Sequence, residues 1–155
     1  MTRQLALGLG LDVAAVIREH VEASHPEEAC GGLLGNANDD GDLRVAAAVP
    51  IENSRNGQRN KGYLIAPDDV LQLEKDAEAA GLCVIGYYHS HPNAPPIPSQ
   101  SDREHAWPWY AYLIVSVYAG RSVGAQAWRL AEDRKAFDPV RIDPAVSLTA
   151  EIGRR

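Results

Sequence analysis

Residues 87–102 read YYHSHPNAPPIPSQSD: two aromatics, two histidines one residue apart, a loop holding four prolines, then Ser99 and Asp102. The run LCVIGYY ahead of the histidines is apolar and short, the pattern of a buried strand rather than a helix. Side chains alternate along a strand, so His89 and His91 project to one side while Ser90 points away. Two imidazoles on one side can serve one metal ion. They can equally be hydrogen-bonded structural residues at a strand end. Pro92, Pro95, Pro96 and Pro98 restrict both themselves and the residues before them, so the loop can hold Asp102 at a set distance from His91. Ser99 followed three residues later by Asp102 is also the start signal of a helix over SQSDREHAW, with no metal required.

The two readings are compatible. A carboxylate at a helix start can turn one oxygen to a cation while Ser99 caps. Two imidazoles and one carboxylate leave a fourth tetrahedral position open, the arrangement of catalytic rather than structural zinc, and a donor set without thiolate suits Zn²⁺. Such chemistry needs a further carboxylate as base.

Working outward, DVAAVIREHVEAS spaces Val13, Val16, Ile17 and Val21 as an amphipathic helix with Asp12 suited to the N-cap. ACGGLLG and DLRVAAAVPI flank the turn-rich NANDDG and predict two paired strands. NSRNGQRNKG predicts an exposed basic loop before a short strand YLIA. PDDVLQLEKDAEAAG predicts a helix burying Val70, Leu73, Ala77 and Ala80 and stopped by Gly81. YAYLIVSVY, GAQAWRLA and the stretch around FDPVRI predict the remaining strands. The fold class is α/β, a mixed curved sheet flanked by helices, with residues 1–144 as one domain and 145–155 as a loosely held tail. Trp107, Trp109 and Tyr110 are expected in the core.

The chain has 155 residues and a formal charge of -6. An acidic protein has no general affinity for nucleic acid or anionic lipid. Cys30 and Cys83 both lie in apolar settings, which predicts buried, reduced thiols in a cytosolic protein. Asp12 and a thin basic region argue against reading the first twenty residues as a signal peptide. No stretch has the apolar length of a membrane span.

The spacing His89-x-His91-Pro92, Ser99 and Asp102 resembles the motif of the JAMM (MPN+) metalloproteases, and HPEEACGGLLG resembles that family's upstream glutamate segment. The likeness runs from about Val16 to Leu130. One departure is Gly32, where relatives often carry a larger apolar residue. The resemblance implies the cytidine-deaminase-like MPN fold, one zinc ion held by His89, His91 and Asp102, Glu28 as general acid and base, and Ser99 as a donor to the oxyanion. Glu27 is the rival carboxylate, and His105 is a weaker candidate ligand. The compact chain is similar to the short bacterial members that remove cysteine or other residues appended to the Gly-Gly end of a ubiquitin-like sulfur carrier protein. Lysine-isopeptide cleavage of the desampylase kind, cell-wall or phage-tail peptidase activity, a DNA-linked RadC-like role and a metal-free MPN scaffold are the alternatives. The resemblance does not fix an oligomeric state.

Overall fold

The computed structural model describes residues 3–143 and Leu148. The elements in order are β1 (Ala6–Leu9), α1 (Leu11–Ser24), β2 (Cys30–Ala37), β3 (Leu43–Ile51), α2 (Pro67–Ala79), β4 (Cys83–Pro92), α3 (Gln100–His105), β5 (Ala111–Tyr118), β6 (Arg121–Leu130) and β7 (Phe137–Asp143). The mixed sheet is therefore the expected one, but it closes. Its strand order β1-β3-β2-β4-β5-β6-β7 returns on itself because β1 pairs in parallel with both β3 and β7.

Alternation along the strands sorts side chains to two faces. Leu33, Tyr88 and Leu113 join α1 residues Val13, Ala14, Ile17 and Val21 in one apolar cluster. Their neighbours Leu34, Tyr87 and Tyr112 join Leu73 and Ala77 of α2 in a second cluster. Gly32 belongs to this second side. A Cβ there would run into the Leu73 side chain, so the glycine lets α2 lie close to the sheet.

Both long helices depart slightly from expectation. α1 begins at Leu11 with Gly10 as N-cap and no side-chain cap, so Asp12 sits in the first turn, where it complements the helix dipole. α2 buries Leu73 and Ala77, while Ala80 is exposed. Its end is as the sequence implies. Gly81 adopts φ +73, and the N–H groups of Gly81 and Leu82 donate to the carbonyls of Glu78 (3.1 Å) and Ala77 (2.8 Å), a Schellman stop.

Three other expectations are corrected. YLIA forms no strand: residues 62–66 have no regular secondary structure, and Ser54 N–H donates to Leu64 O at 2.8 Å. Trp107 and Trp109 are 54% and 62% exposed rather than in the core, and they stack on each other with ring centroids 5.4 Å apart. Cys83 is exposed, and only Cys30 is buried. The expected tail, residues 145–155, lies outside the described residues apart from Leu148, which is buried in the α1-side cluster. No helix among the described residues is long and apolar enough to cross a membrane.

Candidate active site

The strand β4 carries the two histidines to the face shared with α2, each buried, His89 at 1% and His91 at 8% exposure. β4 lies antiparallel to β2, with Cys30 opposite His89. Continued by two residues, this register sets Glu28 opposite His91 and on the same face. Ser90, pointing the other way, closes the seam: its Oγ accepts from Ala29 N–H at 2.8 Å, and its own N–H donates to Ala29 O at 3.1 Å. Glu28 is buried, whereas the rival Glu27 is exposed.

The proline loop is fixed by more than its prolines. Three successive carbonyls are each taken by a donor from a different strand: Ala94 O by Ser116 Oγ at 2.6 Å, Pro95 O by His91 Nδ1 at 2.9 Å, and Pro96 O by Trp128 Nε1 at 3.0 Å. The loop delivers α3, whose capping box is complete. Ser99 Oγ accepts from Asp102 N–H at 3.0 Å, and Ser99 N–H donates to Asp102 Oδ2 at 2.9 Å. The capping reading of Asp102 therefore holds.

Asp102 Oδ2 also faces both imidazoles. It lies 3.3 Å from His89 Nε2 and 3.2 Å from His91 Nε2, and the two nitrogens are 3.1 Å apart. A carbonyl only accepts, so His91 donates its Nδ1 proton to Pro95 O, which leaves Nε2 turned to Asp102 and able to offer a lone pair to a metal once it gives up its proton. Two imidazole nitrogens and a carboxylate oxygen thus converge on one point. Four tetrahedral donors at 2.0–2.1 Å from a metal stand about 3.3 Å apart, close to the observed triangle. Among the described residues, His89, His91 and Asp102 form the one group able to hold a metal in this way. His105 is not in it; its Nδ1 donates to Ser101 O at 2.8 Å. His20 pairs with Tyr88 Oη at 2.6 Å, and His25 lies 3.3 Å from Asn93 Oδ1.

Burial shapes the charges. It works against ionisation of Asp102, but bonds from His89, His91 and the Ser99 N–H outweigh it and hold the carboxyl well below its usual range. Burial lowers the pKa of His89. On His91 burial acts downward too, yet Asp102 and the Pro95 carbonyl leave it raised. Glu28 is pushed up to about 7, first by burial, against the lowering influence of His91. A carboxyl poised there can both take and give a proton at neutral pH.

Beside the triangle opens a cavity of about 350 Å³. Its wall includes Glu28, Ser99 and Asp102 on the polar side and Tyr63, Trp107 and Tyr110 on the aromatic side. Tyr63 stacks on His89 with ring centroids 4.5 Å apart. Trp107, expected in the core, is instead a cavity wall. Sequence reasoning missed Tyr63, Ser90 and Asn53, whose amide bonds to the Glu28 carbonyl at 3.0 Å. Only their neighbourhood to the motif or to turn residues marked them.

A family model described as prokaryotic homologs of the JAB domain matches residues 11–131. A Haloferax volcanii protein named desampylase is 42% identical over 101 residues, 64% of this chain and 69% of its own. A Mycobacterium tuberculosis CysO-cysteine peptidase is 25% identical over 132 residues, 84% of this chain and 87% of its own. Among solved structures, a Desulfitobacterium hafniense protein superposes with a TM-score of 0.76 at 27% identity, covering 89% of this chain and 91% of that one. With the motif intact and a peptidase-type donor set around it, the chain belongs to the prokaryotic JAB-domain family and so to the JAMM (MPN+) hydrolases.

Proposed function

We propose that the protein is a zinc-dependent hydrolase that cuts the bond after the terminal Gly-Gly of a ubiquitin-like sulfur carrier protein, releasing cysteine or another appended amine. The observation that carries this reading is the triangle of His89, His91 and Asp102 donors at 3.1–3.3 Å with a neutral-range carboxyl, Glu28, set opposite His91.

A zinc ion held by these three residues would polarise the scissile carbonyl and make water acidic enough to attack near neutral pH. Glu28 takes the proton of the attacking water and hands it to the leaving amine, so the carboxylate is regenerated as the C–N bond breaks. Ser99 Oγ already accepts one N–H, and its own hydroxyl proton is free to be donated to the carbonyl oxygen as it gains charge. The aromatic wall of the cavity lowers the polarity on that side, which strengthens the electrostatic contacts of the polar side.

A Gly-Gly tail suits the approach, because glycine lets the backbone pass close to Tyr63 and the 62–66 segment without side-chain conflict. The sheet closes among the described residues, so the 62–66 segment, which belongs to no strand, is the place where such a tail can pair. The 42% identity to a desampylase favours a second reading, in which the leaving amine is a lysine side chain of a conjugated protein.

Intact-mass analysis decides between them. A Gly-Gly carrier bearing a C-terminal cysteine, and a second one linked to a lysine, are incubated with zinc-loaded wild type and with Glu28→Ala. Loss of the cysteine in wild type alone supports the carrier reading. Cleavage of the lysine conjugate alone supports the second, and an intact mass in every reaction with zinc bound overturns both.

A further inference from the structure

Glu28 has its side chain in the active-site cavity, and its backbone is gripped from the 53–64 segment. Its N–H donates to Arg59 O at 2.7 Å, and its carbonyl accepts from Asn53 Nδ2 at 3.0 Å. Asn53 does more than this one bond. Its Nδ2 also donates to Gly62 O at 3.1 Å, while its Oδ1 accepts from Arg55 N–H and Leu64 N–H, each at 3.1 Å. The backbone carbonyl of Asn53 accepts from Arg59 Nε at 3.1 Å.

The amide thus spends both donors and its acceptor on two separate tasks. Its oxygen shapes the loop, closing a turn at Arg55 and holding Leu64 at the cavity. Its nitrogen ties that loop to Glu28. A side chain with both donors and an acceptor at this length is asparagine; aspartate would have the acceptors without the donors. We infer that Asn53 is a positioning residue for Glu28, coupling the carboxylate that moves the proton to the Tyr63–Ile65 lip of the cavity through a single amide.

The inference rests on the role proposed for Glu28, and it follows from physical geometry. A base must stay within hydrogen-bond reach of the water it activates, and a displacement of an ångström in a catalytic group lowers the rate on the order of 10²-fold. Glu28 precedes β2 and lies in no ladder of its own. Its position is set by the Ser90 seam on the following residue and by the Asn53 and Arg59 bonds on its own backbone.

Asn53→Asp separates the tasks. It keeps an oxygen for the Arg55 and Leu64 N–H groups but turns a second oxygen toward the Glu28 and Gly62 carbonyls, replacing attraction with repulsion. With a Gly-Gly carrier bearing a C-terminal cysteine, or its lysine-linked form, as substrate, kcat falls on the order of 10²-fold while KM stays within about twofold. Zinc stoichiometry remains that of wild type. Residue-resolved hydrogen exchange shows a Leu64 amide still protected and a faster Glu28 amide, because repulsion at the Glu28 carbonyl also loosens the bond from its N–H to Arg59 O. Asn53→Ala adds loss of Leu64 protection.

Retained kcat, a change confined to KM, or zinc loss in Asn53→Asp would each overturn the assignment. Should either variant fail to fold, wild type still decides: both Asn53 Nδ2 protons exchange slowly if they bond to the two carbonyls, and rapid exchange refutes the tether. This exchange measurement is independent of substrate. Absence of cleavage by wild type counts against the proposed function alone, while the exchange data still judge Asn53.

Discussion

At the scale of single residues, the two carboxylates of the site differ in what holds them. Asp102 is stabilised as an anion by the imidazoles and the Ser99 N–H, whereas Glu28 is held near neutrality by burial. Asp102→Ala therefore removes one of three donors and leaves the imidazoles without a counter-charge; metal content after dialysis should drop well below that of wild type, with retention in Glu28→Ala. Equal zinc in both variants would place the metal elsewhere. The cysteines divide in a similar way. Burial pushes the Cys30 thiol up to about 12, and its Sγ lies 3.6 Å from Ile51 O, while Cys83 is exposed. A thiol alkylating agent at mildly alkaline pH should modify Cys83 alone in the native protein and both cysteines after unfolding, read by intact mass. The sequence could not separate the two, because LCV and ACG are equally apolar and burial at a strand's first residue depends on what packs there.

At the scale of elements, α3 is a helix of six residues with no buried residue of its own, so its start depends on the capping box. Ser99→Ala should cost about 1 kcal/mol of stability, and Ser99→Gly only a few tenths. If the hydroxyl proton serves the oxyanion, both variants lose kcat by roughly 10²-fold or more despite their different stabilities. Denaturation and steady-state kinetics on the pair check this; activity that tracks stability would reduce Ser99 to a cap. The helix start was legible in the sequence because cap chemistry is local. Strand β4 was legible too, since its apolar run and the His-x-His alternation agree. YLIA was not. Four residues after a turn-rich loop carry no statement of which strand they meet, and Asn53 Oδ1 takes the Leu64 N–H that a ladder would have used. The tryptophans were misplaced for a related reason: composition marks them as large and apolar, but WPW follows a six-residue helix over a cavity, and the α2-side cluster is already filled by Tyr87, Tyr112 and Leu73.

At the scale of the whole molecule, closure is the feature that sequence pattern left open. β1 spans four residues, Ala6–Leu9, too short for alternation to announce it, and its partners lie about forty residues away in β3 and at the far end of the chain in β7. Arg3 and Asp42 reinforce the first of these junctions, and Asp42 Oδ1 also accepts from Ala6 N–H at 3.0 Å. The Arg3 bond, then the Ala6 N–H, lower the Asp42 pKa from 3.8 to about 2. The folded value lies below the unfolded one, so the stabilisation is complete above the unfolded pKa and is lost as pH falls toward about 2. Denaturant unfolding of wild type and Asp42→Asn should show a stability gap near neutral pH that closes over this acid range; a gap unchanged by pH would exclude the pair as its source.

The anchoring of the Ala94–Pro96 carbonyls by Ser116, His91 and Trp128 has one more consequence, concerning how the site is loaded. Those bonds, with the capping box and the β2–β4 register, assemble the ligand triangle from protein contacts alone. Little of the binding free energy of an ion need go into ordering the chain, in contrast to a site that folds around its metal. Stripping and reloading should then be a reversible cycle without denaturation, its pace governed by access through the cavity and by proton release from the imidazoles rather than by refolding.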